Sequence, residues 1–289
     1  MEKAVLKTLI YADIFDYPLT VFEIHKWLIS KKATLRQTVT AVNRLSKKSK
    51  VESKKECYFL PKKTSIVNSR LIKTRQSQIY IKNAQMLSQI LKVIPWIKLV
   101  GISGGLAMEN AGKKDDIDLF IVTGKNRLWI SRLFILGLLS LTGQRRKRAG
   151  KIAGKLCVNI LLEEDKLEQT NKDIFVAHEV LQMKVLWQRD GIYSKYLAMN
   201  SWAFKFLPNW IGLSSALQNE GDRLSRYNRG TRVDRLVTTF ENLAGWFQFK
   251  IMQKPRGLER IEDGALYFHP EDCREKVLQK YRFNIGELI

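Results

Sequence analysis

Residues 103–118 read Ser-Gly-Gly-Leu-Ala-Met-Glu-Asn-Ala-Gly-Lys-Lys-Asp-Asp-Ile-Asp, and this stretch decides the fold that the sequence predicts. It joins two apolar segments, 97–103 and 116–122, which have the length and composition of buried strands. Between them a pair of glycines precedes a short helix, predicted over residues 106–110, and a polar loop. The stretch therefore predicts a strand, a tight turn, a short helix and a second strand.

The same alternation continues beyond this stretch. An apolar helix is predicted over residues 128–141, and a third strand over residues 156–162. Strands that alternate with helices indicate an α/β sheet with helices packed against it. After about residue 167 the chain has helical periodicity nearly to its end, so we expect a helical region over residues 168–289.

Two carboxylates lie at the start of the second predicted strand. Because side chains alternate between the two faces of a strand, Asp116 and Asp118 point the same way and Ile117 points the other way. Adjacent carboxylates repel each other unless a cation lies beside them, and their hard oxygen ligands suit Mg²⁺. The pair alone is also compatible with two solvated aspartates.

The preceding turn favours a ligand at this position. Ser103, Gly104 and Gly105 end one strand and open a helix. Glycine permits close approach of the backbone, and free N–H groups at a helix start can hold phosphate oxygens. A glycine turn, a short helix and an Asp-apolar-Asp strand in this order are more specific than either feature alone.

These residues resemble the signature of the nucleotidyltransferase superfamily, which has the polymerase-β type of fold. The resemblance implies that Asp116 and Asp118 are catalytic and bind Mg²⁺, with a nucleoside triphosphate as substrate. It implies that Gly104 and Gly105 contact the β- and γ-phosphates, with Ser103 as a hydroxyl donor beside them. An acceptor would attack the α-phosphorus in line, and pyrophosphate would leave.

The third carboxylate of the superfamily pattern usually lies on a later neighbouring strand. At the position where we expect this carboxylate, the chain has Asn159. We expect Asn159 to contact the nucleotide or metal through its amide oxygen, but it brings no negative charge. Glu163, further along the same strand, is an alternative source of the acid. Without such an acid, the chain would bind nucleotide without efficient transfer or recruit its base elsewhere.

The first 63 residues predict a helical unit with a hairpin. Residues 20–23 and 34–37 are capping boxes, which predict helices over residues 21–29 and 35–46 after a first helix. A two-stranded wing is predicted over residues 51–60. This order is the winged-helix arrangement. The chain is also similar to a group of bacterial proteins that have Phe-Asp-Tyr-Pro-Leu-Thr, here residues 15–20, before a nucleotidyltransferase domain.

The third helix of this unit is the candidate nucleic-acid-reading element. It would display Arg36, Gln37, Thr40, Asn43 and Arg44. Residues 1–63 contain 14 basic and 6 acidic side chains, a net charge of +8, which suits the phosphates of DNA or RNA. Winged helices also serve as protein-docking or structural modules, so both roles stay open.

Composition limits the environment and the partners. The formal net charge of +22 favours a polyanionic partner. Cys57, Cys157 and Cys273 are widely spaced, which argues against a disulfide framework or a structural zinc site and favours a reducing cytoplasm. Arg132 interrupts the most apolar window, residues 128–141, so we expect no membrane span.

We therefore expect an α+β chain in four parts: a winged-helix-like domain (1–63), a connecting helix (64–95), a nucleotidyltransferase core (96–167) and a helical C-terminal region (168–289). The first functional hypothesis is a Mg²⁺-dependent nucleotidyltransferase that transfers a nucleoside monophosphate to an acceptor. The second is a nucleic-acid-binding regulator whose nucleotidyltransferase domain senses nucleotide or is catalytically impaired. A third is a module that nucleotidylates a tRNA or a protein.

Overall fold

Two β-sheets and the helices around them make up the described part of the protein. The computed structural model describes residues 1–146, 150, 152–210, 232–252, 259–268 and 273–289. One sheet has three strands and the other has six. The chain is therefore a mixed protein of helices and sheets, as the sequence predicts.

The smaller sheet lies within the first 60 residues. The elements in chain order are α1 (Glu2–Asp13), β1 (Leu19–Thr20), α2 (Val21–Lys26), α3 (Leu35–Lys47), β2 (Glu52–Lys54) and β3 (Cys57–Phe59). The strand order is β1-β3-β2, with antiparallel pairing throughout. The predicted helices and hairpin are present, and β1 is an additional strand that the sequence pattern did not indicate.

Both predicted capping boxes are present. At α2, the backbone N–H of Glu23 donates to the Thr20 hydroxyl, and the Glu23 carboxylate accepts from the backbone N–H of Thr20 at 2.8 Å. Thr34 and Gln37 make the same reciprocal pair at α3. Glu23 also pairs with Arg70 at 2.6 Å, so the first turn of α2 is attached to the long helix that follows.

The larger sheet has the order β7-β4-β5-β6-β9-β8. Only β5 and β6 pair in parallel, and their neighbours pair antiparallel. The elements after β3 are α4 (Ser65–Leu91), β4 (Ile97–Ile102), α5 (Gly104–Ala107), β5 (Ile117–Thr123), α6 (Leu128–Leu141), β6 (Leu156–Glu163), α7 (Ile174–Gln182), β7 (Lys184–Gln188), α8 (Ile192–Met199), α9 (Ala203–Phe206), α10 (Arg232–Met252), β8 (Arg260–Glu262), β9 (Ala265–Tyr267) and α11 (Cys273–Leu288).

The prediction that residues 168–289 are helical is wrong in part. Three strands of the larger sheet, β7, β8 and β9, come from this region. β7 is an edge strand in which only Trp187 is buried, so it shows no alternation of apolar and polar residues. β8 and β9 have three residues each, too few to produce a periodic pattern. Pairing with distant strands fixes β7 and β9, and β8 pairs with β9.

The two faces of the larger sheet belong to two hydrophobic cores. Ile117, Leu119 and Ile121 of β5 pack with α4 and α6. Phe120 and Val122 face the other way, into a core that continues through α7 to the N-terminal helices. α6 has the predicted bounds. Among the residues that the structure describes, no helix is long and apolar enough to cross a membrane.

Side-chain hydrogen bonds fasten the N-terminal unit to the rest of the chain. Asn209, just after α9, accepts from the backbone N–H of Ala33 at 3.0 Å and donates to the carbonyl of His25 at 2.9 Å. Asn110 donates to the carbonyl of Phe15 at 3.1 Å. The segment after α1 is therefore held beside the loop that follows the glycine turn.

Candidate metal-binding site

Three neighbouring strands bring polar side chains together at the start of β5. Ile102 of β4 pairs with Leu119, and the next backbone N–H, that of Ser103, donates to the carbonyl of Asp118 at 3.1 Å. On the other side, Asp118 pairs with Cys157 of β6. Residues opposite each other on paired strands present their side chains to the same face. Ser103, Asp118 and Cys157 therefore form a row across the sheet.

The structure groups Asp116 and Asp118, as the sequence predicts, and adds a third side chain. One ligand atom from each of Asp116, Asp118 and Cys157 lies within 4.8 Å of the other two. The sequence motif indicated both aspartates. It gave no signal for Cys157, since the register between β5 and β6 is a long-range property.

Negative charge dominates this cluster. Burial, and then the charge of Asp116, raises the pKa of Asp118 from 3.8 to about 7. Arg146 lies 2.9 Å from a carboxylate oxygen of Asp116, and its Nη1 is 3.7 Å from the sulfur of Cys157. The sequence did not indicate Arg146, because a run of basic residues does not show which acidic side chain each of them pairs with. One guanidinium does not offset two carboxylates, so the position favours a second cation.

The thiol of Cys157 is partly buried beside these carboxylates. Burial, and then the charge of Asp118, raises its pKa from 9.0 to about 11. A metal ion would reverse this preference, because a coordinating thiol is deprotonated. Without such an ion, Cys157 is a neutral neighbour of the aspartates.

Gly104 makes the close approach that the turn requires. Its φ is +63°, in the left-handed region that glycine adopts without strain. A Cβ atom here would lie 3.4 Å from a carboxylate oxygen of Asp118, so the turn backbone is in contact with the metal cluster. At Gly105 the nearest atom to a Cβ would be 4.0 Å away. Only the first glycine is therefore constrained by its conformation.

Glu179 of α7 lies beside one of the backbone donors expected to hold phosphate. Its carboxyl accepts a hydrogen bond from the side chain of Gln182, and the nearby N–H of Gly104 favours its ionised form. It lines a cavity of about 90 Å³ between the turn and α1, and burial raises its pKa from 4.5 to about 7. Glu179 therefore lies beside the N–H of Gly104, and the role of the turn in holding phosphate stays a prediction.

Asn159 does not hold the position of the third acid. Leu119 pairs with Val158 and Phe120 with Ile160, so Asn159 is the extra residue of a β-bulge. Its side-chain oxygen is buried without a hydrogen-bond partner, and its carbonyl accepts from Phe268. The bulge shifts the alternation, and Cys157 is the residue opposite Asp118. A role for Asn159 in nucleotide binding stays a prediction.

Glu163 cannot replace the missing acid, because it lies at the other end of the strands. It pairs with Thr123, five residues beyond Asp118, a separation of roughly 16 Å along a strand. Its carboxylate accepts backbone hydrogen bonds from Asn126 and Arg127. Glu163 therefore closes the turn that leads into α6.

Two arginines at the start of α6 have partners away from the cluster. Arg127 is buried and lies 3.3 Å from the hydroxyl of Thr238, and Arg132 donates to Gln248 at 2.6 Å. Both therefore join α6 to α10 instead of facing the cluster.

His178 has a packing role, as expected for a histidine without metal-ligand spacing. Its ring stacks on Tyr11 with centroids 4.2 Å apart and lies 5.2 Å from the ring of Trp27. Burial lowers its pKa from 6.5 to about 3, so the ring is neutral in this core.

Comparison with known proteins identifies no relative. No protein-family model, curated protein or solved structure matches the chain. The function must therefore be argued from this chain's own residues and their geometry.

The two glycines of the turn provide a matched pair of substitutions. Gly104→Ala should lower the free energy of unfolding by about 1–2 kcal/mol, because alanine is strained at positive φ. Gly105→Ala should be neutral or stabilising by up to about 1 kcal/mol, because Gly105 lies in a helical turn with space for a methyl group. Urea denaturation measures both. Equal effects of the two substitutions would contradict the constraint assigned to Gly104.

The stability of the fold should depend on the ionisation of Glu179. Because its folded pKa is raised, the folded protein keeps a proton that the unfolded chain loses between pH 4.5 and about 7. The free energy of unfolding therefore falls through this window. Glu179→Gln keeps the acceptor for Gly104 and removes the ionisation, so its stability relative to wild type should rise by about 2 kcal/mol from pH 4.5 to pH 8.

Denaturation at both pH values measures this difference. Glu168→Gln, at a half-exposed glutamate, is the control for the substitution itself. A Glu179→Gln variant whose stability relative to wild type is the same at both pH values would show that folding does not raise the pKa of Glu179.

Proposed function

We propose that the chain is a divalent-metal-dependent nucleotidyltransferase that transfers a nucleoside monophosphate from a nucleoside triphosphate to an acceptor. The observation that carries the proposal is the contact between the Gly104 turn and Asp118, within a cluster that also contains Asp116. Metal ligands and a close-approach turn are the two features that triphosphate chemistry requires side by side.

The fold supports the proposal through the order of its elements. β4, the glycine turn, α5 and β5 have the order that the superfamily resemblance implies, and the aspartates lie at the start of β5. In this proposal, residues 96–167 contain most of a polymerase-β-type core. Strand β7 and the β8–β9 pair from the C-terminal region extend its sheet.

The donor set of the cluster fits a divalent cation. Two carboxylates are close enough to share one ion. Burial, and then the charge of Asp116, raises the pKa of Asp118, and a bound cation would oppose this shift. Mg²⁺ is the ion that the two carboxylates alone indicate. A bound divalent ion would neutralise triphosphate charge and polarise the α-phosphorus.

The reaction forms one P–O bond and breaks another. The acceptor hydroxyl oxygen attacks the α-phosphorus, the bond from the α-phosphorus to the oxygen bridging to the β-phosphorus breaks, and the hydroxyl proton passes to solvent. Asp116 and Asp118 would hold the ion, while Gly105 offers the exposed part of the turn to phosphate oxygens.

Removal of the carboxylates should abolish transfer. Asp116→Asn and Asp118→Asn should each reduce pyrophosphate release and incorporation of α-labelled nucleotide by about 100-fold or more, because each removes a metal ligand. The assay uses the full chain, each of the four nucleoside triphosphates, Mg²⁺ or Mn²⁺, and tRNA, the protein itself or a small alcohol as acceptor.

Asp115→Asn is the matched control, one residue away on the exposed loop. It should leave transfer within about twofold of wild type, as expected for a surface substitution. Absence of metal-dependent nucleotide binding in the wild-type chain would contradict the proposal. Equal activity of the Asp115 and Asp118 variants would do so as well.

The alternative function is a nucleic-acid-binding regulator, and the exposed face of α3 favours it. In this proposal residues 1–63 are a winged-helix-like domain with α3 as its recognition helix. Arg36, Gln37, Thr40, Asn43 and Arg44 are all exposed. Arg36 and Arg44 line a shallow groove with the N-terminus of α1. Two arginines on one exposed helix face suit contact with successive phosphates.

A salt titration of full-length protein tests this alternative. Binding to duplex DNA or structured RNA should weaken with salt, and Arg36→Ala with Arg44→Ala should reduce the slope of log affinity against log salt by about 2. Arg75→Ala with Lys82→Ala, on the exposed side of α4, is the charge-matched control. Binding that is insensitive to salt, or an unchanged slope in the α3 variant, would contradict contact through this helix.

A further inference from the structure

The third member of the metal cluster is a thiol, and this changes which ion the site selects. Cys157 lies on β6 directly opposite Asp118, where a carboxylate was expected. Its sulfur belongs to the set of ligand atoms that lie within 4.8 Å of one another. The sulfur is therefore placed to share an ion with Asp116 and Asp118.

A second observation at the same position points to a ligand. Ser103 is only 2% exposed, and its hydroxyl has no hydrogen-bond partner. The pairing of β4 with β5 brings Ser103 opposite Asp118, on the face of the sheet that carries the cluster. A buried hydroxyl without a partner costs about 1–3 kcal/mol, which a ligand held by the cluster would offset.

We propose that Asp116, Asp118 and Cys157 form a two-carboxylate, one-thiolate site that selects a borderline divalent ion of the Zn²⁺ and Co²⁺ class over Mg²⁺. Thiolate ligands favour such ions, whereas Mg²⁺ prefers oxygen ligands alone. Three protein ligands with an open fourth position are also the donor count of catalytic zinc sites. The inference deepens the proposed function by naming the ion of the same site.

Charge balance supports a divalent ion bound to the thiolate. Two carboxylates and a thiolate carry three negative charges. Arg146, 2.9 Å from Asp116 and 3.7 Å from the sulfur, supplies one positive charge. A divalent cation supplies the other two, so the occupied cluster is neutral. Arg146 therefore positions Asp116 and stabilises the thiolate without being a metal ligand.

Co²⁺ is the probe, because a cobalt–thiolate bond gives a charge-transfer absorption band. With the full chain in its reduced state, Co²⁺ should produce this band at one equivalent. Calorimetry should show Zn²⁺ binding at least about tenfold more tightly than Mg²⁺. Cys157→Ser should remove the band and weaken Zn²⁺ binding by about 10- to 100-fold. Cys157→Asp should remove the band and strengthen binding of Mg²⁺.

Cys57→Ser and Cys273→Ser are the matched controls, since both are cysteines outside the cluster. Each should retain the band, and circular dichroism checks that every variant is folded. A band that survives in Cys157→Ser, or wild-type protein that binds Mg²⁺ as tightly as Zn²⁺, would overturn the inference. Loss of the band in Asp118→Asn would support the shared site.

The outcome is separable from that of the proposed function, because no nucleotide is present in these measurements. Zn²⁺ and Co²⁺ binding through Cys157 without nucleotidyl transfer would support the metal assignment and count against the reaction. Transfer supported by Mg²⁺ with no contribution from Cys157 would support the reaction and count against the metal assignment.

Discussion

A carboxylate held between two neighbouring strands is the constraint on which the rest of the structure depends. Asp118 is paired through its backbone with β4 on one side and β6 on the other, so its side chain cannot leave the row. Placing a second carboxylate, Asp116, beside it is unfavourable unless a cation balances the charge. Arg146 supplies part of that balance. Metal binding would therefore offset the remaining electrostatic repulsion between Asp116 and Asp118.

Helix α7 lies between this site and the N-terminal unit. In α7, His178 stacks on Tyr11 of α1, and the next residue, Glu179, lies beside the N–H of Gly104. Adjacent residues of one helix thus lie against the N-terminal unit and beside the glycine turn. This contiguous contact is what a regulated transferase and a nucleotide-sensing regulator would both need.

Local patterns were sufficient to predict much of the fold. The capping boxes at Thr20 and Thr34 involve residues three positions apart, so the sequence alone places both helix starts. The helix Leu128–Leu141 has the predicted bounds because its apolar run is long. The strands Lys184–Gln188 and Ala265–Tyr267 were missed, because pairing with distant strands determines them.

The site was predictable only where its residues are close in the sequence. Because side chains alternate along a strand, the sequence alone predicts that Asp116 and Asp118 lie together. The register that places Cys157 opposite Asp118, with Asn159 as the extra residue of a bulge, cannot be read from the alternation along β6 alone. The roles of Cys157 and Glu179 depend on strand register and on helix packing, which a single sequence does not specify. The sequence predicted the glycine turn, but it did not indicate that the carboxyl of Glu179 lies beside the N–H of Gly104.

The most direct measurement is a crystal structure of the full chain with Co²⁺ and a non-hydrolysable nucleoside triphosphate, recorded at the cobalt absorption edge. We expect an anomalous peak about 2.0–2.3 Å from donor atoms of Asp116, Asp118 and Cys157, with triphosphate density against Gly104 and Gly105. An anomalous peak elsewhere, or a triphosphate bound away from the glycine turn, would contradict the central claim that these residues form one metal and nucleotide site.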